Sequence, residues 1–288
     1  MHVFATSAGE LGVDPALRLA TTYRRQVHAS IERIWENVFD WEHLPVLHES
    51  YFNKVQLLQS DERGWQVQLT RQPGDPSRTQ TLELQVDREH TRYRVRTLAG
   101  TGTGTQIWTL LKVLAAHETA IEVRYYLPEE QPDKMAALGD KYSCSCHVLW
   151  NEDEVMMQQR ERMLNAPHPL EASTPPDPAD LGLIEEVRQT LPLLIEFGGQ
   201  SFRIVAVEGE LLAHSTICPH WLGPLDAAPV DDLGCVRCPW HGYTFDVRTG
   251  QSVDGRGLRL SAAPQVHVDL VSGRVTLHAQ SQPPTRLV

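Results

Sequence analysis

Two short stretches of this 288-residue chain carry side chains that can hold metal. Near the C-terminal end stand Cys218-Pro219-His220 and Cys238-Pro239-Trp240-His241, a C-x-H pattern, seventeen residues, then C-x2-H. Two thiolates and two imidazoles suit a zinc ion, or a [2Fe–2S] cluster with two Cys on one iron and two His on the other. Zinc fingers usually keep Cys with Cys and His with His. Here each loop supplies one of each, which suits a diiron cluster gripped between two fingertips. Nearer the N-terminus lies Glu36-Asn37-Val38-Phe39-Asp40-Trp41-Glu42-His43-Leu44-Pro45-Val46-Leu47-His48. On an unbroken helix His43 and His48 would point about 140° apart. Pro45 is expected to break the helix between them and let the pair converge.

A third donor is expected from a long helix over about 133–164. Met135, Leu138, Tyr142, Cys146, Leu149, Met156 and Met163 fall on one apolar stripe, and Asp153 lies inside it. Glu152 sits at the stripe's edge and Glu154 on the other side. A carboxylate inside an apolar stripe is costly unless it is paired or bound to metal. Asp153 is therefore the candidate ligand. Arg160, also in the stripe but nearly two turns away, is the competing partner.

The elements that must position these groups can be read from pattern and punctuation. A strand over 19–28 precedes a helix capped by Ser30 and carrying Ile31, Ile34, Trp35 and Val38. A second short element follows Asp40. Strand-like runs follow at 51–59, 64–72, 78–87, 90–98, 103–114 and 118–127, joined by hairpins. The run Gly100–Thr105 is read as such a turn. From 165 to 182 the chain holds five prolines and no period, which marks a semi-rigid linker. The expected domains are 1–164, the linker 165–182, and 183–281, with a loose tail beyond. The back part reads as short strands with no helical period.

Composition narrows the function. Acids outnumber bases 37 to 26, giving a net charge of −11, and no basic stripe favours a nucleic acid. No apolar run reaches the ~18–20 residues of a membrane span, and the first residues lack the pattern of a signal peptide. Five cysteines suit a reducing cytoplasm better than a disulfide scaffold. Cys144, Cys146 and Cys235 are read as small buried residues.

The CPH and CPWHG loops, followed by Phe245-Asp246 and Thr249-Gly250, resemble Rieske [2Fe–2S] domains. The resemblance implies that Cys218, His220, Cys238 and His241 hold the cluster. Leu222 and Trp240 stand where high-potential members carry an inter-loop disulfide, and Tyr243 and Phe245 occupy the positions of their hydroxyl donors. That points to the low-potential kind that serves oxygenases.

The order of elements in the front part resembles the helix-grip fold of the START-like superfamily, which binds apolar small molecules. The fold class is therefore α+β: a helix-grip domain followed by an all-β Rieske domain. The E-N-x2-D-x2-H-x4-H stretch and the string EDEVMMQQ resemble the mononuclear iron motif of Rieske non-haem iron oxygenases. That resemblance implies Fe(II) on His43, His48 and Asp153, with Asn37 near its open face. It implies that Asp40 links His43 to His241. It also implies a separate NAD(P)H-dependent reductase or ferredoxin as electron donor, O2 as co-substrate and a homo-oligomer, a trimer in the family, while the apolar stripe with Tyr142 and several Met fits an aromatic or alicyclic substrate. The domain order is the reverse of the family's, and the front domain is short. The competing expectation is a START-like ligand-binding or cyclase domain tethered to a Rieske electron carrier.

Overall fold

The computed structural model describes residues 12–129, 131–166 and 178–279. The chain divides into two compact units, Met1–Glu161 and Arg162–Val288.

The first unit is a seven-stranded antiparallel sheet with a long helix. Its strands are β1 (Arg18–Val27), β2 (Phe52–Asp61), β3 (Gly64–Arg71), β4 (Thr79–Asp87), β5 (Arg92–Gly100), β6 (Gln106–Ala115) and β7 (Glu118–Leu127). The sheet order is β1-β7-β6-β5-β4-β3-β2, so hairpins build it from β2 onward and β1 closes on the last strand. The period of a half-buried strand is plain in β7. Thr119, Ile121, Val123, Tyr125 and Leu127 are buried, and the residues between them are not.

Between β1 and β2 come α1 (Ile31–Phe39) and α2 (Leu44–Leu47), and after β7 comes α3 (Pro132–Leu164). Ser30 caps α1 by accepting the Arg33 N–H. Ile34, Trp35 and Val38 turn inward and join Leu69, Leu84, Ile121, Trp150 and Met157 in one core. Gly139 matters to how α3 sits. A Cβ there would lie 2.8 Å from the Ala20 carbonyl oxygen, so only glycine lets the helix come this close to β1. The helix-grip architecture expected for this half is present.

Pro45 acts differently from expectation. It lies in the first turn of α2, with His43 as the residue before that helix and His48 as the one after it. A proline is tolerated there because the first N–H groups of a helix have no internal partner. The chain leaves helical geometry earlier, at Asp40, whose φ and ψ are extended. The two histidines thus flank one short helix.

The second unit holds β8 (Ala179–Leu183), α4 (Ile184–Gln189), β9 (Leu193–Phe197), β10 (Gln200–Val207), β11 (Glu210–Ser215), β12 (Cys235–Arg237), β13 (Thr244–Asp246), β14 (Gln265–Val268) and β15 (Arg274–His278). They form sheets of order β11-β10-β9, β12-β13 and β14-β15-β8. Phe202, Ile204, Leu211, Val275 and Leu277 make its core. Two expectations are corrected here. The last four residues of the stretch read as linker, 179–182, belong to the strand Ala179–Leu183, which pairs with β15, because beyond Pro178 the backbone N–H groups are free to bond. A six-residue helix, α4, also occurs, too short for a 3.6-residue period to show. Residues 167–177 and the expected tail 280–288 lie outside the described residues. No helix among the described residues is long and apolar enough to cross a membrane.

Candidate metal centres

In the first unit α2 and α3 bring three donors together. Ligand atoms of His43, His48 and Asp153 all lie within 4.8 Å of one another, and all three residues are buried. His48 Nε2 is 3.1 Å and His43 Nε2 3.5 Å from Asp153 Oδ1. The two rings stand edge to face, 5.0 Å apart. On its other side each imidazole meets a carboxylate. His43 Nδ1 lies 3.2 Å from Asp40 Oδ2, and His48 Nδ1 lies 2.6 Å from Glu152 Oε2. The Glu152 hydrogen bond holds a proton on His48 Nδ1, so Nε2, on the Asp153 side, is the nitrogen that would meet a metal. Asn37 is buried and donates from Nδ2 to Asp153 Oδ1 at 3.0 Å.

The electrostatics agree with the geometry. Burial opposes a charge on His48, but Asp153 and Glu152 outweigh it and hold its pKa above the ordinary value. Burial likewise opposes ionisation of Asp153. His48, His43 and the Asn37 donor outweigh it and keep the carboxylate below its usual range. An ionised acid between two imidazoles is a buried site built to receive a cation. Two nitrogens and one oxygen on one side of that point are the donor set that ferrous iron accepts with positions left open. Arg160, the competing partner for Asp153, instead donates to Glu36 at 2.6 Å.

A cavity of about 220 Å³ opens beside these residues, walled by Leu69, Leu84, Tyr93, Val123 and Tyr142. Cys146 is buried in the wall 3.1 Å from the Tyr125 hydroxyl, and burial pushes its thiol up to about 11. Cys144, expected to be buried, is exposed, because it falls on the opposite face of α3.

In the second unit the two cysteine loops share one backbone design. Cys218 N–H bonds the Gly223 carbonyl and Leu222 N–H bonds the Cys218 carbonyl, at 2.8 and 3.0 Å. Cys238 with Tyr243, and Gly242 with Cys238, repeat this at 2.8 and 2.9 Å. Leu222 and Gly242 occupy matching positions, both left-handed, at φ +62° and +71°. Each fingertip aims backbone N–H groups at its own sulfur: those of His220 and Trp221 at Cys218, and those of Trp240 and His241 at Cys238. The two thiols are buried and hydrogen-bonded to each other, so one ionises readily and the other resists. Cys238 falls below its ordinary value, chiefly through the Cys218 donor, and Cys218 rises well above its own. The rings of His220 and His241 lie 4.5 Å apart. Paired sulfurs with amide donors, beside paired imidazoles, fit a [2Fe–2S] cluster.

Residues 178–263 match the model of the Rieske [2Fe-2S] domain. The C-terminal unit is a Rieske domain. Among curated proteins, apoptosis-inducing factor 3 of Mus musculus is 35 % identical over 88 residues, which cover 31 % of this chain and 14 % of that protein. The anthranilate 1,2-dioxygenase ferredoxin subunit of Burkholderia cepacia is 34 % identical over 70 residues, 24 % of this chain and 64 % of that one. The chain thus spans less than two thirds of the length of these relatives. Among solved structures, the Zhui aromatase/cyclase of Streptomyces sp. R1128 is similar at 16 % identity and a TM-score of 0.42, covering 52 % of this chain and 99 % of that one.

Within the Rieske unit, Cys235, expected to be buried, is half-buried at the start of the short strand β12. The Tyr243 hydroxyl lies 3.3 Å from His220 Nε2. The sequence reading missed Glu152 as the partner of His48. Its one signal was a place at the edge of the apolar stripe, next to Asp153.

Proposed function

We propose that the chain is a terminal oxygenase component. It uses a Rieske cluster on Cys218, His220, Cys238 and His241, and a mononuclear Fe(II) on His43, His48 and Asp153, to oxidise an apolar small molecule with O2. The observation that carries this reading is the buried convergence of His43, His48 and Asp153, with a carboxylate behind each imidazole. The likeness to a ferredoxin subunit of a dioxygenase supports an oxygenase setting for the cluster.

When bound, these two groups supply single electrons and a ferrous centre with open positions for O2. The protein's part is orientation and exclusion. Asp40 and Glu152 hold the two imidazoles and raise their basicity as ligands. Asn37 fixes the Asp153 carboxylate by its amide N–H. The apolar wall of the cavity sheds water and leaves a substrate few orientations. Electrons come from a separate NAD(P)H-dependent reductase or a ferredoxin.

Oxygen uptake by the chemically reduced, iron-loaded protein tests the reading. The wild type is expected to consume O2 in step with cluster oxidation and product formation. The His43→Ala variant is expected to keep the cluster's visible and EPR spectra and to lose product. Equal product from both overturns the assignment.

A further inference from the structure

Apart from the candidate metal ligands, the cavity lining carries one cationic side chain. Arg71, at the end of β3, is the one arginine or lysine among the described residues that line it. Its Nε donates to Gln80 Oε1 at 2.7 Å, and its Cζ lies 5.9 Å from the centre of the Phe52 ring. Gln80 is itself buried, and its amide donates to the Thr101 carbonyl in the β5–β6 turn. The guanidinium is therefore held from its Nε side, and no carboxylate among the described residues forms an ion pair with it. Its two terminal amino groups form the fork that matches a carboxylate with two parallel hydrogen bonds. The same Phe52 ring lies 6.2 Å from that of His48, so Arg71 and the candidate iron ligands share a neighbour in the lining.

We infer that Arg71 makes this chamber a receptor for small carboxylic acids, with the acid group on the guanidinium and the apolar body turned toward His43, His48 and Asp153. Size sets the class. A cavity of about 150 Å³ accepts one benzene ring, and this one is about 220 Å³. It suits a single six-membered ring with a short acidic substituent. Charge sets the polarity. A carboxylate loses its water on entering an apolar chamber, and only a fixed counter-charge with matching donors offsets that loss. The other charged side chains of the lining are Asp40 and Asp153, both acids beside the histidines, so Arg71 and the proposed Fe(II) are the two groups that can take an anion, and the variants below tell them apart.

The inference rests on the cavity being the substrate chamber of the proposed oxygenase, and it is tested by binding alone. Benzoate and its neutral analogue benzamide are titrated into the iron-loaded full chain, with ligand NMR and tryptophan fluorescence as readouts. The wild type is expected to bind benzoate at least about tenfold more tightly than benzamide. In Arg71→Met that preference should vanish while benzamide affinity holds. Arg71→Gln, which keeps a polar group beside Gln80, gives the same comparison should the first variant fold poorly. Equal affinities in the wild type, binding of neither compound, or a preference that survives in Arg71→Gln each overturn the inference. So does a preference that disappears only in His43→Ala, because the carboxylate is then bound to metal. Failure of the oxygenase reading registers elsewhere, in the iron content, and leaves the Arg71 comparison intact.

Discussion

His43 and His48 owe their usefulness to what stands behind them. An imidazole free to rotate presents either nitrogen, whereas one whose Nδ1 meets a carboxylate presents Nε2 in a fixed direction. Glu152→Gln should weaken the proposed iron site about 10–100-fold without abolishing it. Titration of Fe(II) against a competing chelator measures this, and unchanged affinity would remove Glu152 from the account. Its neighbour Glu154 has a structural task. Burial opposes its charge, but the His28 backbone N–H and ring and the Arg25 guanidinium hold it below the usual range. A depressed carboxylate contributes stability that is complete above its unfolded pKa and is lost as the pH falls through the folded one. The wild type should therefore melt higher than Glu154→Gln at pH 7, by about 2–4 °C for each kcal/mol of interaction lost. The gap should close as the pH drops below about 4.5. A gap that stays constant with pH would show that the pair contributes through packing alone.

At the scale of elements, α3 carries both the acid of the site and one wall of the chamber, so its seating on β1 matters. In an exposed helix interior Gly→Ala stabilises by about 0.5–1 kcal/mol. At Gly139 the added carbon meets the Ala20 carbonyl, and overpacking of this kind costs about 1–3 kcal/mol. Gly139→Ala is therefore expected to lower the Tm, and a rise would contradict the close approach. Strands β2–β7 were legible because alternation marks them locally and glycines punctuate several of the turns between them. Asp153 was legible because one acid broke an apolar stripe. The role of Glu152 was not, since it depends on how the α2 loop meets α3, a contact between residues about a hundred positions apart that no local pattern encodes. Pro45 misled for a related reason: a proline marks a boundary, but whether it ends one helix or opens the next depends on where the preceding one stops.

At the scale of the molecule, the proposed oxygenase carries one metal group in each unit, and the two should be separable. Cys218→Ser removes a cluster thiolate and should abolish the Rieske EPR signal while the first unit still takes up one ferrous ion. Nitric oxide, which binds ferrous iron at open positions and gives a distinct EPR signal, would report that ion. Loss of the nitric oxide signal together with the cluster would mean that the first unit holds no site of its own. The competing reading, a ligand-binding or cyclase domain joined to an electron carrier, shares the cluster and differs only in the first unit. Iron analysis of the anaerobically reconstituted chain therefore decides between the two readings. Three irons per chain are expected in the wild type, two in the cluster and one on the two histidines and acid, falling to two in both His43→Ala and Asp153→Ala. A wild type that holds two irons, with neither substitution changing the number, would contradict the oxygenase reading.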